Sequence, residues 1–272
     1  MSLLKEAKFL IEKHRVFPKK RLGQHFTIDS SVFQQIVESG SITSSDTVLE
    51  IGAGLGFLTR FLAERCRKVL AVETDSRLAS LLRIFLKDLQ NVDVIEGDVL
   101  KVQLPQFNKI ASIPPYGISS PLIQWLYNKN FDCAILVLQK EFANKLAATV
   151  GSSNYGWLTI LTYYHFEVEL LSDVPKRLFY PPPKVDSTIV RLRPRFPPPF
   201  KINNLEKFKR LVQSLFTQRN RKIKNAVEAF IKREHICTEE TAKKLGFIPF
   251  QERRIRELAP EDFGVLANGI AC

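Results

Sequence analysis

From residue 47 onward the chain alternates between two hydrophobic rhythms. Short runs in which most residues are apolar (the start of TVLEIGAGLGFL, KVLAVETD, VDVIEGDVL, the segment around Ile110 and Ala111, and FDCAILVLQ) are separated by stretches such as FLTRFLAE and RLASLLRIFLKDL, where apolar residues recur every three or four positions. The first rhythm predicts strands and the second amphipathic helices. Strands alternating with helices of this length predict βαβ units around a parallel sheet, so a doubly wound α/β domain is expected. Two later segments, TILTYYHFEVELLSDV and STIVRLRPR, are rich in β-branched and aromatic residues and are expected to add β structure near the end of this domain.

Ahead of the alternating region, MSLLKEAKFLIEKHR spaces its apolar residues as a helix does, and a basic loop leads into a second helix with Val32, Phe33, Ile36 and Val37 on one face. That helix is expected to be capped near Asp29 or Ser30. Pro194 and Pro197 to Pro199 then break the pattern, because proline cannot continue a helix or a central strand. The predicted boundary separates residues 1–197 from 198–272. The second part reads as a small all-helical domain: NLEKFKRLVQSLFTQ, RKIKNAVEAFIKREH, TEETAKKLGF and PEDFGVLANGI, with Thr238 and Pro260 placed as helix starts.

Composition narrows the picture. No apolar run approaches the roughly 20 residues of a membrane span, and the N-terminus mixes charges into its apolar positions, unlike a signal peptide. A cytoplasmic location is expected. The four cysteines are scattered, with no C-x-x-C pair and no histidine at metal-ligand spacing, so free thiols and no metal are expected. The net charge of +12 is concentrated at the ends: +5 over residues 1–25, +1 over 26–199 and +6 over 200–272. Two basic elements flanking a neutral centre suit a protein that positions a polyanion. Solvated tails would carry the same charge.

Chemistry enters at the strand ends. VLEIGAGLGFL sets Glu50, Gly52, Gly54 and Gly56 between a strand and a helix, where glycines allow a tight turn and close approach to a ligand. A dinucleotide-binding turn reads G-x-G-x-x-G; here the third glycine comes one residue early, a spacing that fits nucleoside-methyltransferase loops better. Glu73 ends the next strand, 21 residues after Gly52, where an acid can accept both hydroxyls of a ribose. Asp98, after the third strand, is placed to accept from an adenine amino group. Each acid alone reads equally as a solvated loop residue; their order along the chain points to S-adenosylmethionine.

The segments KKRLGQHFTID, EIGAGLGFLT, VETD, EGDVL, IPPYGISSPL, LQKEFANKL, NYGWLTILT, FYPPPKVDSTIVRL and QRNRKIKNAV resemble, in order and spacing, the ribosomal RNA adenine N6,N6-dimethyltransferase family, over about residues 17 to 264. The resemblance implies a Rossmann-like doubly wound methyltransferase domain with a small C-terminal helical RNA-binding domain. It implies S-adenosylmethionine as methyl donor and small-subunit ribosomal RNA or a pre-30S particle as partner, with two adjacent adenosines near the 3′ end as targets. A monomer is expected. Gln24, His25 and Thr27 would close over the methionine end of the cofactor, Gly52 and Gly54 approach it from the turn, Glu73 bind the ribose and Asp98 the adenine.

The family's catalytic turn reads Asn-(Leu/Ile)-Pro-Tyr before an Ile-Ser-Ser-Pro helix start. Aligned on GISSP, Tyr116 is the aromatic, Pro115 the proline, Pro114 the aliphatic position, and Ile113 stands where the family has asparagine. Adenine N6 is a poor nucleophile until acceptors hold its hydrogens. Here the backbone carbonyl of Pro114 remains and the side-chain acceptor is gone. Ser112, one residue earlier, is a candidate substitute. Tyr116 and Phe179 match the family's base-stacking aromatics, and both also read as core residues. Lys19, Lys20 and Arg21, with Arg219, Arg221, Lys222 and Lys224, are candidate phosphate contacts; the second group reads equally as a solvated helix face. Two functions stay open: a methyltransferase with an altered turn, or a non-catalytic assembly factor that keeps the fold.

Overall fold

The computed structural model describes residues 2–234 and 248–270. The expected helix over TEETAKKLGF, with its start at Thr238, lies outside the described residues. So do Cys237, Cys272 and His235.

A seven-stranded sheet is the frame of the first part of the chain. Its strands are β2 (Thr47–Ile51), β3 (Lys68–Glu73), β4 (Val92–Glu96), β5 (Lys109–Ser112), β6 (Cys133–Gln139), β7 (Phe166–Val174) and β9 (Ser187–Pro194), in the spatial order β4-β3-β2-β5-β6-β9-β7. β4, β3, β2, β5 and β6 pair in parallel, while β9 runs antiparallel to β6. A separate two-stranded ribbon pairs β1 (Phe26–Thr27) with β8 (Phe179–Tyr180). Every residue of β2 is buried, as the apolar run requires of a central strand covered on both faces. The chain winds β2 to β3 to β4 on one side and resumes with β5 and β6 on the other, so the strand order reverses between β2 and β5. Crevices outside the carboxyl ends of strands at such a reversal are where open α/β sheets bind ligands.

Helices cover the sheet and begin where the polar residues allow. After α1 (Leu3–His14), the Asp29 carboxylate caps α2 (Ser30–Gly40) by accepting from the Ser31 amide at 2.9 Å, the cap expected there. The strand-end turn described below opens α3 (Phe57–Ala63), and Asp75 caps α4 (Ser76–Phe85) as Asp29 caps α2. α5 (Ser119–Leu126) and α6 (Lys140–Leu146) follow β5 and β6. Cys66 and Cys133 are buried free thiols.

The compact units are discontinuous in sequence. One comprises Met1–Ala143 and Val168–Pro194, the other Asn144–Glu167 and Arg195–Cys272. The segment TILTYYH belongs to the second unit and is helical: α7 spans Trp157–His165, and only from Phe166 does the chain become a strand. The expected β structure over this stretch is therefore corrected. Its β-branched and aromatic composition favours a strand, yet α7 buries Leu158, Thr159, Ile160, Leu161 and Thr162 and packs against α8 (Leu205–Phe216) and α10 (Pro260–Ile270), and tertiary packing overrides propensity. α9 (Ile223–Arg233) completes the described helices of this unit.

Tyr155 anchors the start of α7. Its hydroxyl donates to the Leu258 carbonyl at 2.6 Å, and the residue is 1% exposed. Tyr155→Phe keeps the ring but leaves that carbonyl unpaired. The expected cost is about 1–3 kcal/mol, read as a lowered melting temperature.

Candidate functional site

The turn from β2 into α3 takes positive φ at Gly52 (77°), Gly54 (59°) and Gly56 (81°), a region other residues enter only with strain. A Cβ at Gly52 would stand 2.8 Å from the Pro115 ring, and one at Gly54 would stand 2.9 Å from the Phe26 ring. The turn is thus seated between the 112–118 turn and the β1 ribbon. Glu73 ties it to the next strand: one carboxylate oxygen accepts from the Gly54 amide and the other from the Asp75 amide, each at 2.9 Å. Beside these strand ends lies a cavity of about 290 Å³ bordered by Gly52, Glu73, Asp98, Pro115 and Arg21. Asp98, half-buried, accepts from the Leu100 amide at 3.1 Å.

On the other side of the glycine turn a smaller cavity, about 40 Å³, is lined by Thr27, Glu50, Gly52, Gly54 and Ile113 among others. Here the hydrogen bonding is incomplete. Oε2 of Glu50 and the hydroxyls of Thr27 and Thr59 are buried without a partner. Glu50 is 2% exposed, and its carboxyl is pushed up to about 8, mainly by burial, with the Glu73 charge adding to the rise. Thr59 lies close enough to oppose that shift but makes no bond of proper geometry to Oε2. Buried polar atoms are normally satisfied, so orphans gathered beside a glycine turn mark where a polar ligand would complete them.

The 112–118 turn closes the site. Ser112 is fully buried; its hydroxyl donates to the Ile51 carbonyl at 2.6 Å and accepts from the Ile51 amide at 3.3 Å. It therefore stitches β5 to β2 at the strand ends. Ile113 is half-buried and packs against the apolar core. The Tyr116 hydroxyl shares a hydrogen bond with Ser187 at 2.7 Å, and the His25 ring stacks on Tyr116 with centroids 5.9 Å apart. His25 in turn donates from Nδ1 to the Pro181 carbonyl at 2.7 Å. Phe179, only 2% exposed, packs into the core on the ribbon opposite Thr27.

Two residues outside the sequence-derived set organise the region. Asp75, buried, accepts from Arg77 at 2.7 Å, from Gln24 at 3.2 Å and pairs with Lys19 at 3.2 Å; these partners, Arg77 foremost, hold its carboxyl far below the usual range. Gln24 also accepts from the Lys19 amide at 2.7 Å. Gln24 and Lys19 thus fix the basic loop to α4, while Lys20 and Arg21 keep their charges at the surface. Ser187 is the other, through Tyr116. The sequence signals were slight: an acid one residue before a serine for Asp75, and none for Ser187.

In the helical unit the basic group divides. Arg219 donates to the carbonyls of Ser152 and Ser153 at 2.8 Å each, Arg221 to the Gln218 side chain, and Lys222 pairs with Glu252 at 2.6 Å; Lys224 is exposed. Among the described residues no cluster of His, Cys, Asp or Glu is arranged to hold a metal ion.

Glu50 makes the fold pH-sensitive in a definite direction. An acid whose folded value lies above its unfolded one leaves stability intact below about pH 4.5 and erodes it as pH rises toward 8, by on the order of a few kcal/mol. Glu73 shifts the same way and Asp75 the opposite way. Glu50→Gln should flatten the decline in melting temperature between pH 5 and 8.

The comparisons with known proteins agree with this geometry. The family model for ribosomal RNA adenine dimethylase matches residues 17–245. A chain from Methanosarcina acetivorans named "Probable ribosomal RNA small subunit methyltransferase A" is 39% identical over 248 residues, 90% of this chain and 91% of that one. One of the same name from Pyrococcus abyssi is 37% identical, over 93% and 92% of the two chains. Among solved structures, a dimethyladenosine transferase from Plasmodium falciparum superposes with a TM-score of 0.76 at 32% identity, covering 88% of this chain and 94% of its own. The 23S rRNA methyltransferase ErmE gives 0.66 at 31%, over 90% and 99%. With a glycine turn, two strand-end acids and a proline-aromatic turn converging at the sheet's reversal point, and relatives matching along nearly its whole length, the chain belongs to the ribosomal RNA adenine dimethylase family.

Proposed function

We propose that the protein transfers methyl groups from S-adenosylmethionine to adenosine N6 in small-subunit ribosomal RNA, at two adjacent adenosines near the 3′ end, within a pre-30S particle. It would act in the cytoplasm, as a monomer, with the unit of residues 1–143 and 168–194 carrying the chemistry and the helical unit positioning RNA. The observation that carries this reading is the set of unpartnered buried oxygens around the glycine turn, in a chain of this family. The residues present fit the cofactor. Glu73 and Asp98 border the larger cavity as acceptors for ribose hydroxyls and an adenine amino group. Glu50 and Thr27 would meet the amino-acid end, with Gln24 and His25 bracing the loop that carries Thr27. S-adenosylmethionine, when bound, supplies a methyl group on a positively charged sulfur that an amine displaces directly.

What this chain supplies is position and hydrogen-bond acceptance. The Pro114 carbonyl would accept from N6, and Tyr116, held by Ser187 and His25, would face the base. N6 cannot reach a donor from inside a stack, so the adenosine must be unpaired or flipped out. Ile113 supplies no acceptor, and the Ser112 hydroxyl is already committed to Ile51. That pair of facts favours a second reading, an assembly factor that binds ribosomal RNA without methylating it. Incubation of undermethylated small-subunit particles with protein and isotope-labelled cofactor, followed by mass spectrometry of nucleosides, separates the two: labelled N6-methyladenosines support the enzyme, and their absence supports the binding protein.

For the enzyme, Ile113→Asn should raise the single-turnover rate by up to about 100- to 1000-fold, the worth of one preorganised hydrogen bond. Ser112→Ala should lower stability by about 1–3 kcal/mol through the unpaired Ile51 backbone, and weaken cofactor binding with it. For RNA binding, reversing Lys20, Arg21, Arg221 and Lys224 should flatten the dependence of log affinity on log salt by about 0.7 to 0.9 for each phosphate no longer neutralised, measured by filter binding. Arg219→Ala should instead act on the melting temperature.

A further inference from the structure

Phe196 stands apart from every other large apolar side chain of the described residues. It is 96% exposed, while the next most exposed, Ile84, Phe17 and Phe9, reach 60%, 58% and 52%. Full exposure of a phenylalanine is ordinary on a mobile loop, where the ring can collapse onto the surface from time to time. This loop is braced at both ends within the helical unit.

Before Phe196, the Arg195 amide donates to the His165 carbonyl at 2.8 Å and its Nε to the Phe166 carbonyl at 3.1 Å. The Arg195 guanidinium also lies 4.7 Å from the centre of the Tyr163 ring, whose hydroxyl donates to Glu261 at 2.7 Å. After it, Phe200 packs on Tyr164 and Phe208, with ring centres 5.1 and 5.9 Å away. Asn268 then holds the next turn of chain, accepting from the Asn203 amide at 2.9 Å and donating to the Lys201 carbonyl at 2.8 Å. Between these anchors run Pro197, Pro198 and Pro199, each with φ locked by its ring. The aromatic ring is thus held out in water by a stiff arm.

The surroundings select the partner. Within the helical unit, residues 195–205 include Arg195 and Lys201 and not one acid. A fully exposed aromatic face with basic residues on its own stretch of chain matches an unpaired nucleic-acid base, whose π face stacks on the ring while its phosphates meet the basic residues. We propose that Phe196 is an RNA-contact residue that stacks on an unpaired base of the ribosomal RNA, outside the methyl-transfer site. This rests on the proposed RNA substrate and extends it to a residue that the sequence motifs left unassigned.

The test uses full-length protein and deproteinised small-subunit ribosomal RNA in filter binding over a range of salt. Stacking on one base is worth about 5- to 150-fold in affinity. Phe196→Ala should lose that factor with an unchanged salt slope, since no charge is removed, and with unchanged cofactor affinity and melting temperature. Phe196→Trp should restore or exceed wild-type binding, and Phe196→Leu should be as weak as alanine because leucine has no π face. The proposal is overturned if Phe196→Ala binds this RNA like wild type, including the case where it weakens binding only to protein-containing particles, which would mark a ribosomal-protein contact. It is equally overturned if Phe196→Leu keeps full affinity, the signature of an apolar pocket. Wild-type protein that fails to bind the RNA at low salt would remove the substrate reading itself, and this proposal with it.

Discussion

The site is organised by the carboxylate of Glu73. Its two oxygens accept from the amides of Gly54 and Asp75, so one buried group fixes the glycine turn after β2 and the start of α4 after β3 at a set separation. Burial raises its proton affinity, and these two amide bonds oppose that rise. Around it the rest follows. Asp75 gathers Arg77, Gln24 and Lys19, bringing the basic loop over the strand ends, and Gly52 meets Pro115, bringing the second turn against the first. Lone pairs left on Glu73 remain available toward the cavity it borders.

A second carboxylate, Glu50, lies close enough for the charge of Glu73 to raise its proton affinity. Burial and the Glu73 charge keep Glu50 largely protonated at neutral pH, and holding it so lowers the stability of the fold. In the proposed binding of a cofactor, positive charge and hydrogen-bond donors would favour the ionised carboxylate and offset part of that cost. The same property lowers stability, the usual trade between a prepared site and a stable fold.

The cations follow a related pattern. Lys19 and Arg219 belong to basic clusters that suggest phosphate binding, yet Lys19 is paired with Asp75 and Arg219 clamps two serine carbonyls. They hold the basic segments in shape, while Lys20, Arg21 and Lys224 keep their charges at the surface. Ser112 offers the same lesson beside Ile113: a hydroxyl one residue from the missing acceptor is committed to joining β5 to β2. In the proposed methyl transfer, an acceptor for N6 in this turn would therefore have to come from the backbone.

Much of this was legible in the sequence because it depends on local chemistry. Apolar runs placed five parallel strands, Asp29 capped its helix, and Gly52, Gly54, Glu73 and Asp98 were readable as strand-end residues, since turns and caps are decided by residues a few positions apart. Ile113 was visible as a departure for the same reason. Other features required the folded chain. Trp157–His165 carries a strand's composition but is helical because helices brought from residues 205–216 and 260–270 cover it. Ser187 meets Tyr116 from 71 positions away, and Asp75 meets Gln24 from 51. Which acid is left unpaired, which cation is taken up by the fold and which phenylalanine stands in water are outcomes of packing, because each depends on groups distant in sequence competing for the same space and the same hydrogen bonds.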